Sequence, residues 1–213
     1  MKIGIVGTGN VGTSLGKLWA QKGQEIFFGS RDPVGVKRLV DKIGVPVKAG
    51  TYAEAAEFGE AIVLAIPWSS VQDTIGVLGD LRGKIIMDCT NAVAPKLGGL
   101  LIGHTTSAAE KIAEWAEGAY VVKAFNAFEP ELLPEVPKRK PKPTTFICGD
   151  NVQAKSKVKH LGELLGYDVV DAGPLKNARL LEPLAMLWIE LAYNQGMGSG
   201  IAFKLCRLRK LPE

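Results

Sequence analysis

The sequence predicts an α/β chain: a Rossmann-type doubly wound, mostly parallel sheet, with a smaller C-terminal lobe ending in apolar helices. Three observations predict it. The apolar run Lys2 to Val6 leads straight into Gly7, Gly9 and Gly12 at G-x-G-x-x-G spacing. Short apolar runs then alternate with segments of helical period along the chain. One of those runs, Ala61 to Ile66, is continuously apolar and not alternating, as a strand covered on both faces must be.

The elements follow in order. Val11 to Lys22 is a helix, with Val11, Leu15, Leu18 and Trp19 at helical spacing. Glu25 to Phe28 is the second strand and Val36 to Ile43 a helix. Val47 to Ala49 is a short third strand. Thr51 with Glu54 makes a capping box for a helix over Tyr52 to Glu57. Ala61 to Ile66 stops at Pro67-Trp68-Ser69-Ser70, and a helix covers Val71 to Leu78. Lys84 to Asp88 is a fifth strand. Ser107 and Glu110 form a second capping box, for a helix to about Glu117, and Tyr120 to Ala124 is a sixth strand. Pro134 to Pro143, rich in Pro and Lys, reads as an exposed connector. Thr144 to Cys148 and Tyr167 to Asp171 are strands around a helix at Val152 to Leu165. Asn177 to Tyr193 is a helix apolar on most sides, buried or capping a cavity, which Pro183 kinks or begins. Gly196, Gly198 and Gly200 loosen the chain before a last helix at Ile201 to Leu208. The reading divides the chain into a dinucleotide-binding domain, 1–127, and a lobe, 128–213, that completes the sheet and a second cleft.

Composition narrows the function. The 213 residues are 46% hydrophobic and carry a net charge of +4, enough for one core and only mildly basic. The positive charge gathers in Lys138-Arg139-Lys140 with Lys142 and in Arg207 to Lys210, without interleaved aromatics, so nucleic acid is not an expected partner. Cys89, Cys148 and Cys206 are odd in number and far apart, which points to reduced thiols in a cytoplasmic protein. His104 and His160 have no metal-ligand spacing, so no metal site is expected. No leader and no apolar run of about 18 residues is present, so no membrane span is expected.

The glycines carry the chemistry. Gly7 permits a tight turn, Gly9 lets backbone approach a pyrophosphate, and Gly12 permits close helix–strand packing. Thr8, Asn10 and Val11 complete the turn, and the following helix points free N–H groups at phosphate. A site selecting NAD places an acid at the end of the second strand for the ribose 2′-hydroxyl. Here Ser30 and Arg31 stand there, suited to a 2′-phosphate and hence to NADP(H). Asp32 either caps the next helix before Pro33, the favoured reading, or takes the 2′-hydroxyl and restores NAD use. Further strand-end loops supply Ile66 and Pro67 as apolar surface on the nicotinamide side. Trp68 is either a ring contact or core, and Asn91 and Asn126, beside Ala124, are either amide donors to the coenzyme or turn residues. Asp88 reads as a cap of its own loop in preference to a catalytic acid. No set of acid, base and nucleophile emerges, so no catalytic residue is assigned; ring-to-ring hydride transfer needs alignment and exclusion of water more than a protein acid.

The chain resembles the NADPH-dependent reductases of coenzyme F420, an 8-hydroxy-5-deazaflavin. The resemblance rests on Gly7-Thr-Gly-Asn-Val-Gly12, Gly29-Ser-Arg31, Ala65-Ile-Pro-Trp68, Val122-Lys-Ala-Phe-Asn126, Cys148-Gly-Asp150, Asp171-Ala-Gly-Pro-Leu175 with Asn177 and Arg179, and Gly196-Met-Gly198. It implies that Thr8, Ser30 and Arg31 hold the 2′-phosphate. It also implies that the deazaflavin lies in the cleft before the C-terminal lobe, and that hydride passes between nicotinamide C4 and deazaflavin C5. The nucleotide fold is similar, too, to the cytoplasmic domain of six-transmembrane metalloreductases, which share the Val-Lys-Ala-Phe-Asn run and reduce a flavin. The segment from Asp88 to Ser107 departs from archaeal deazaflavin reductases, which leaves deazaflavin and flavin both open as acceptors. Two other classes compete. Gly198-Ser-Gly200-Ile-Ala-Phe-Lys204 mimics the lysine-bearing helix of β-hydroxyacid dehydrogenases, though without the large helical domain of those enzymes or of imine reductases. A non-enzymatic NADP-sensing module would use the apolar C-terminal helix as a partner surface. The same helix motivates an expectation of a homodimer.

Overall fold

The computed structural model describes residues 1–208. Six strands are β1 (Lys2–Val6), β2 (Glu25–Gly29), β3 (Lys48–Gly50), β4 (Ala61–Leu64), β5 (Ile85–Asp88) and β6 (Tyr120–Lys123). Two more are β7 (Thr144–Gly149) and β8 (Asp168–Asp171). The sheet order is β3-β2-β1-β4-β5-β6-β7-β8. The first six strands pair in parallel, while β7 meets β6 antiparallel and pairs in parallel with β8. This is a Rossmann order extended by two strands across the same sheet.

The helices are α1 (Asn10–Gln21), α2 (Pro33–Asp41), α3 (Tyr52–Phe58), α4 (Val71–Gly76), α5 (Ala108–Trp115), α6 (Val152–Leu164) and α7 (Ala178–Ile189). They cover both faces. Leu15 and Trp19 of α1, Val36 of α2, and Val158 and Leu161 of α6 share one core with Ile3, Ile5 and Val63. Val71 and Ile75 of α4, Ile112 of α5 and Leu181 of α7 share the other with Val6, Ile62 and Ile86. β4 and β5 are wholly buried, which accounts for their unbroken apolar sequence. The Trp19 indole N–H donates to the Leu161 carbonyl at 3.0 Å and its ring meets Phe125 edge-on, joining α1 to α6.

The local signals hold where partners are near in sequence. Thr51 and Glu54 make the full reciprocal capping box of α3. Ser107 caps α5 through Glu110 N–H, but the Glu110 carboxylate takes the Ser107 hydroxyl and ion-pairs with Arg179. The reciprocal half of that box is not made; Glu182 accepts instead from the next N–H groups, those of Ala108 and Ala109.

Three expectations are corrected. The Pro/Lys-rich stretch is not simply an exposed connector: Pro130–Lys138 is a 3₁₀ helix that buries Leu133 and Val136 and packs on α1. The helix from Asn177 is not covered all round. It buries Leu181, Ala185 and Trp188 but leaves Leu180 and Leu187 exposed, runs unbroken past Pro183, and passes into a π turn at Glu190–Asn194. No last helix forms at Ile201 to Leu208. That segment is non-helical, pinned by Thr144 N–H to Phe203 O, by Trp188 Nε1 to Ile201 O and by a Lys204–Asp168 ion pair. Tertiary partners spaced along it override its helical pattern. Of the basic tail, Arg209 and Lys210 lie outside the described residues.

Candidate functional site

The strand ends assemble one edge of the sheet. Gly7 to Gly12 follow β1, Ser30 and Arg31 follow β2, and Ile66 to Trp68 follow β4. Asn91 follows β5, and Ala124 and Asn126 follow β6. Because β2, β1, β4, β5 and β6 are successive neighbours, all these residues lie along the carboxyl edge. The switch in strand order falls between β1 and β4, where doubly wound folds bind ligands.

The three glycines differ in what surrounds them. Gly7 has φ +113°, a conformation that disfavours side chains, and a Cβ there would strike the Ala65 carbonyl and Ile66. A Cβ on Gly12 would strike the Gly7 carbonyl, so this glycine brings α1 against the turn. A Cβ on Gly9 would meet nothing within 4 Å. Gly9 is therefore not required by packing; it faces open space at the head of α1. No side chain caps that helix, so its first-turn N–H groups are unclaimed by the usual partner. The residues present fit a pyrophosphate: backbone donors, the helix's positive end and room above Gly9.

At the end of β2, Asp32 is spent on structure. Its carboxylate accepts from Val34 and Gly35 N–H at 3.2 and 2.9 Å, capping α2 with Pro33 at its start. Its own N–H donates to Ser30 Oγ at 3.0 Å, which leaves the Ser30 hydroxyl proton to give. Arg31 is exposed beside it. A cationic side chain and a hydroxyl donor therefore flank the position, and its one acid is turned to the helix.

Further along the edge the side chains are bound to one another. Trp68 stacks on Trp115 of α5, with ring centroids 5.5 Å apart, which commits one face of its ring. Asn91 donates to the Asn126 carbonyl at 2.7 Å. The Asn126 amide donates back to Asn91 Oδ1 at 3.1 Å and on to the Leu181 carbonyl of α7 at 3.1 Å. Phe125, between Ala124 and Asn126, is buried at φ +52°, so the chain turns sharply at the end of β6.

Below this clasp lies a charge cluster that sequence reasoning missed. Lys123 Nζ is 2.8 Å from Asp88 and 3.0 Å from Glu182, with all three side chains at 0–1% exposure, and it also donates to the Thr90 carbonyl. Asp88 accepts from Thr90 N–H and Oγ1 at 2.8 and 2.7 Å, which bears out its reading as a cap of its loop. Burial alone would lower the Lys123 pKa; the facing Asp88 and Glu182 outweigh it and hold the ammonium above the usual lysine value. One signal was available: a lysine, an aspartate and a glutamate each sit inside an apolar run, and charges so placed are almost always paired.

Cys89 and Cys148 are buried; burial pushes the Cys148 thiol up to about 12 and the Cys89 thiol higher, so neither supplies a thiolate. Among the described residues no group of His, Cys, Asp and Glu is placed to hold a metal, and no helix is long and apolar enough to cross a membrane.

Fold and edge together are those of a Rossmann-type dinucleotide-binding protein. Comparison with known proteins refines this. The family model for NADP oxidoreductase, coenzyme F420-dependent, matches residues 2–92. The F420-dependent NADP reductase of Methanothermobacter marburgensis is 31% identical, with the whole of both chains covered. Metalloreductase STEAP3 of Rattus norvegicus is 30% identical over 87% of this chain but only 37% of its own length. A crystal structure of a candidate F420-dependent NADP reductase from Arthrobacter sp. FB24 superposes with a TM-score of 0.86 at 29% identity, covering 97% of this chain and all of that one. A reductive aminase from Aspergillus terreus, at 20% identity and a TM-score of 0.66, shares the fold alone. The chain belongs to the F420-dependent NADP reductase family, and is an NADP-dependent oxidoreductase.

Proposed function

We propose that the chain transfers hydride between NADP(H) and coenzyme F420 across the carboxyl edge of β1, β2, β4, β5 and β6. The observation that carries the coenzyme choice is Asp32 held as the cap of α2, which leaves Ser30 and Arg31 to meet a 2′-phosphate. The acceptor follows from end-to-end similarity to an F420-dependent reductase.

In this reading the N–H groups after Gly9, with Thr8, Asn10, Val11 and Gly12 around them, bind the pyrophosphate. Gly7 shapes the turn. Arg31 ion-pairs with the 2′-phosphate and Ser30 donates to it. Ile66, Pro67 and Trp68 exclude water from one side of the nicotinamide, and Asn91, Ala124 and Asn126 form the opposite wall. NADPH supplies the hydride from nicotinamide C4 to deazaflavin C5 and solvent supplies the accompanying proton, leaving NADP⁺ and reduced F420. The protein orients and dehydrates; no side chain in this reading carries a proton or forms a bond. Residues 1–127 act as the nucleotide-binding unit, and 128–213 complete the sheet and wall the second ring. The exposed Leu180, Leu187, Tyr193 and Met197 suit a homodimer contact in a protein with no role for nucleic acid; a monomeric mass by light scattering at micromolar concentration would remove that assignment.

NADPH deuterated at C4 tests the transfer. Deuterium recovered at C5 of F420 is the expected result, and a solvent-derived hydrogen there would rule out direct transfer. Free flavin is the competing acceptor, favoured by the likeness to Metalloreductase STEAP3 over most of this chain.

A further inference from the structure

We infer that Lys123 is the positioning residue of the acceptor-side wall, acting through Asn91 and Asn126 without touching either ring. The inference rests on the reading of this edge as the hydride-transfer site. Its basis is the connectivity of one buried cluster. Lys123 ends β6 and reaches Asp88 at the end of β5, Glu182 on α7, and the Thr90 carbonyl. Each partner fixes a different piece of the wall. Asp88 and Thr90 set the loop that carries Asn91. Glu182 binds the first N–H groups of α5, and α7 offers the Leu181 carbonyl to Asn126. Asn91 and Asn126 then close on each other.

A single ammonium thus ties two strand ends and two helices into one unit directly behind the residues that face the ring. It has three protons and three acceptors. Among the described residues no buried side-chain nitrogen or oxygen lacks a partner. A cluster so fully connected has one arrangement. A buried ion pair is weak evidence of stabilisation, since apolar replacements are often as stable. What the charges supply here is direction: Lys123 holds acceptors from β5, from the loop after it and from α7, which an apolar side chain of the same length would pack between but not orient.

The test is the double variant Lys123→Met with Asp88→Asn. It keeps the net charge of the cluster and leaves Glu182 of α7 bonded to the first N–H groups of α5, so folding is retained where Lys123→Met alone strands two carboxylates. Two readings are taken, the first across a range of NADPH concentrations and the second with the protein in excess of NADPH. The first is turnover with F420: kcat is expected to fall at least tenfold, with the KM for NADPH within threefold, because the phosphate turn is untouched. The second is the fluorescence anisotropy and lifetime of bound NADPH, which are expected to move toward those of free coenzyme. A lowered melting temperature with wild-type kcat and wild-type NADPH fluorescence would overturn the inference and make the cluster a purely structural one. Should the wild-type protein not reduce F420 at all, the proposed function fails, and the NADPH fluorescence alone decides the role of Lys123.

Discussion

The two ends of the cleft are built by opposite means. In the proposed reading, recognition at Gly7 to Gly12 is left to backbone: Gly9 faces open space, the head of α1 has no side-chain cap, and the nearby Arg31 is exposed. At the ends of β5 and β6 the polar side chains are already satisfied by one another, from the Asn91–Asn126 clasp down to Lys123, Asp88 and Glu182. The proposed phosphate end offers donors that no side chain claims, whereas the other end is satisfied within the protein. This suits the two tasks. Binding a highly charged coenzyme needs unclaimed donors, whereas hydride transfer needs a wall that does not move.

The contrast can be broken first at its rigid end. Lys123→Ala leaves Asp88 and Glu182 buried and uncompensated, a loss of about 3–5 kcal/mol. For a chain of this size that lowers the melting temperature by roughly 6–20 °C, measurable by calorimetry. At the open end Gly9→Ala inverts the pattern. No atom lies within 4 Å of the new methyl group, so the melting temperature stays within about 2 °C, a shift worth no more than ~1 kcal/mol. Affinity for NADPH, read by titration, falls about tenfold or more as the methyl group blocks the backbone from the pyrophosphate. Gly12→Ala, by contrast, costs both stability and affinity, because its methyl group meets the Gly7 carbonyl.

Arg31→Ala sharpens the account within the open end. Loss of one charge-assisted contact, about 1.5–3 kcal/mol, raises the KM for NADPH at least ~10-fold and leaves that for NADH nearly unchanged. Equal losses with both coenzymes would show that Arg31 does not read the 2′-phosphate.

The smallest effect lies outside both ends. Hydrogen bonding from Arg179, with help from Ser107 and against some burial, holds the Glu110 carboxyl below its ordinary 4.5. A carboxyl lowered on folding stabilises the fold above its ordinary value, and that contribution is lost as pH falls through the lowered one. Below pH 4.5, Glu110→Gln should flatten part of the acid limb of the melting-temperature profile, by an amount worth about 1 kcal/mol or less for a half-buried, partly screened pair.

The same contrast explains what the sequence revealed. The phosphate turn, the Thr51–Glu54 box and the Asp32 cap each complete their geometry within a few residues, so spacing and residue type suffice to see them. The sheet order through β6 follows from the repeating strand–helix pattern. The rigid end could not be read in that way. Lys123, Asp88 and Glu182 meet only because β5, β6 and α7 converge, and Asn91 finds Asn126 for the same reason. Ile201 to Leu208 reads as a helix in isolation, and only Thr144, Asp168 and Trp188, distant in sequence, make it a pinned strap. The Pro130–Lys138 helix was hidden by its own prolines, although Leu133 and Val136 give it an inward face. Candidate positions were legible where the geometry is built from backbone and local turns, and illegible where side chains gather across the sheet.

The most direct test of the central claim is NADPH oxidation followed spectrophotometrically, with coenzyme F420 and free flavin offered separately at equal concentration. Turnover with F420 well above that with flavin is expected, as is its loss when Arg31 is replaced at subsaturating NADPH. Tight NADPH binding with no turnover of either acceptor, or turnover with flavin alone, would contradict it.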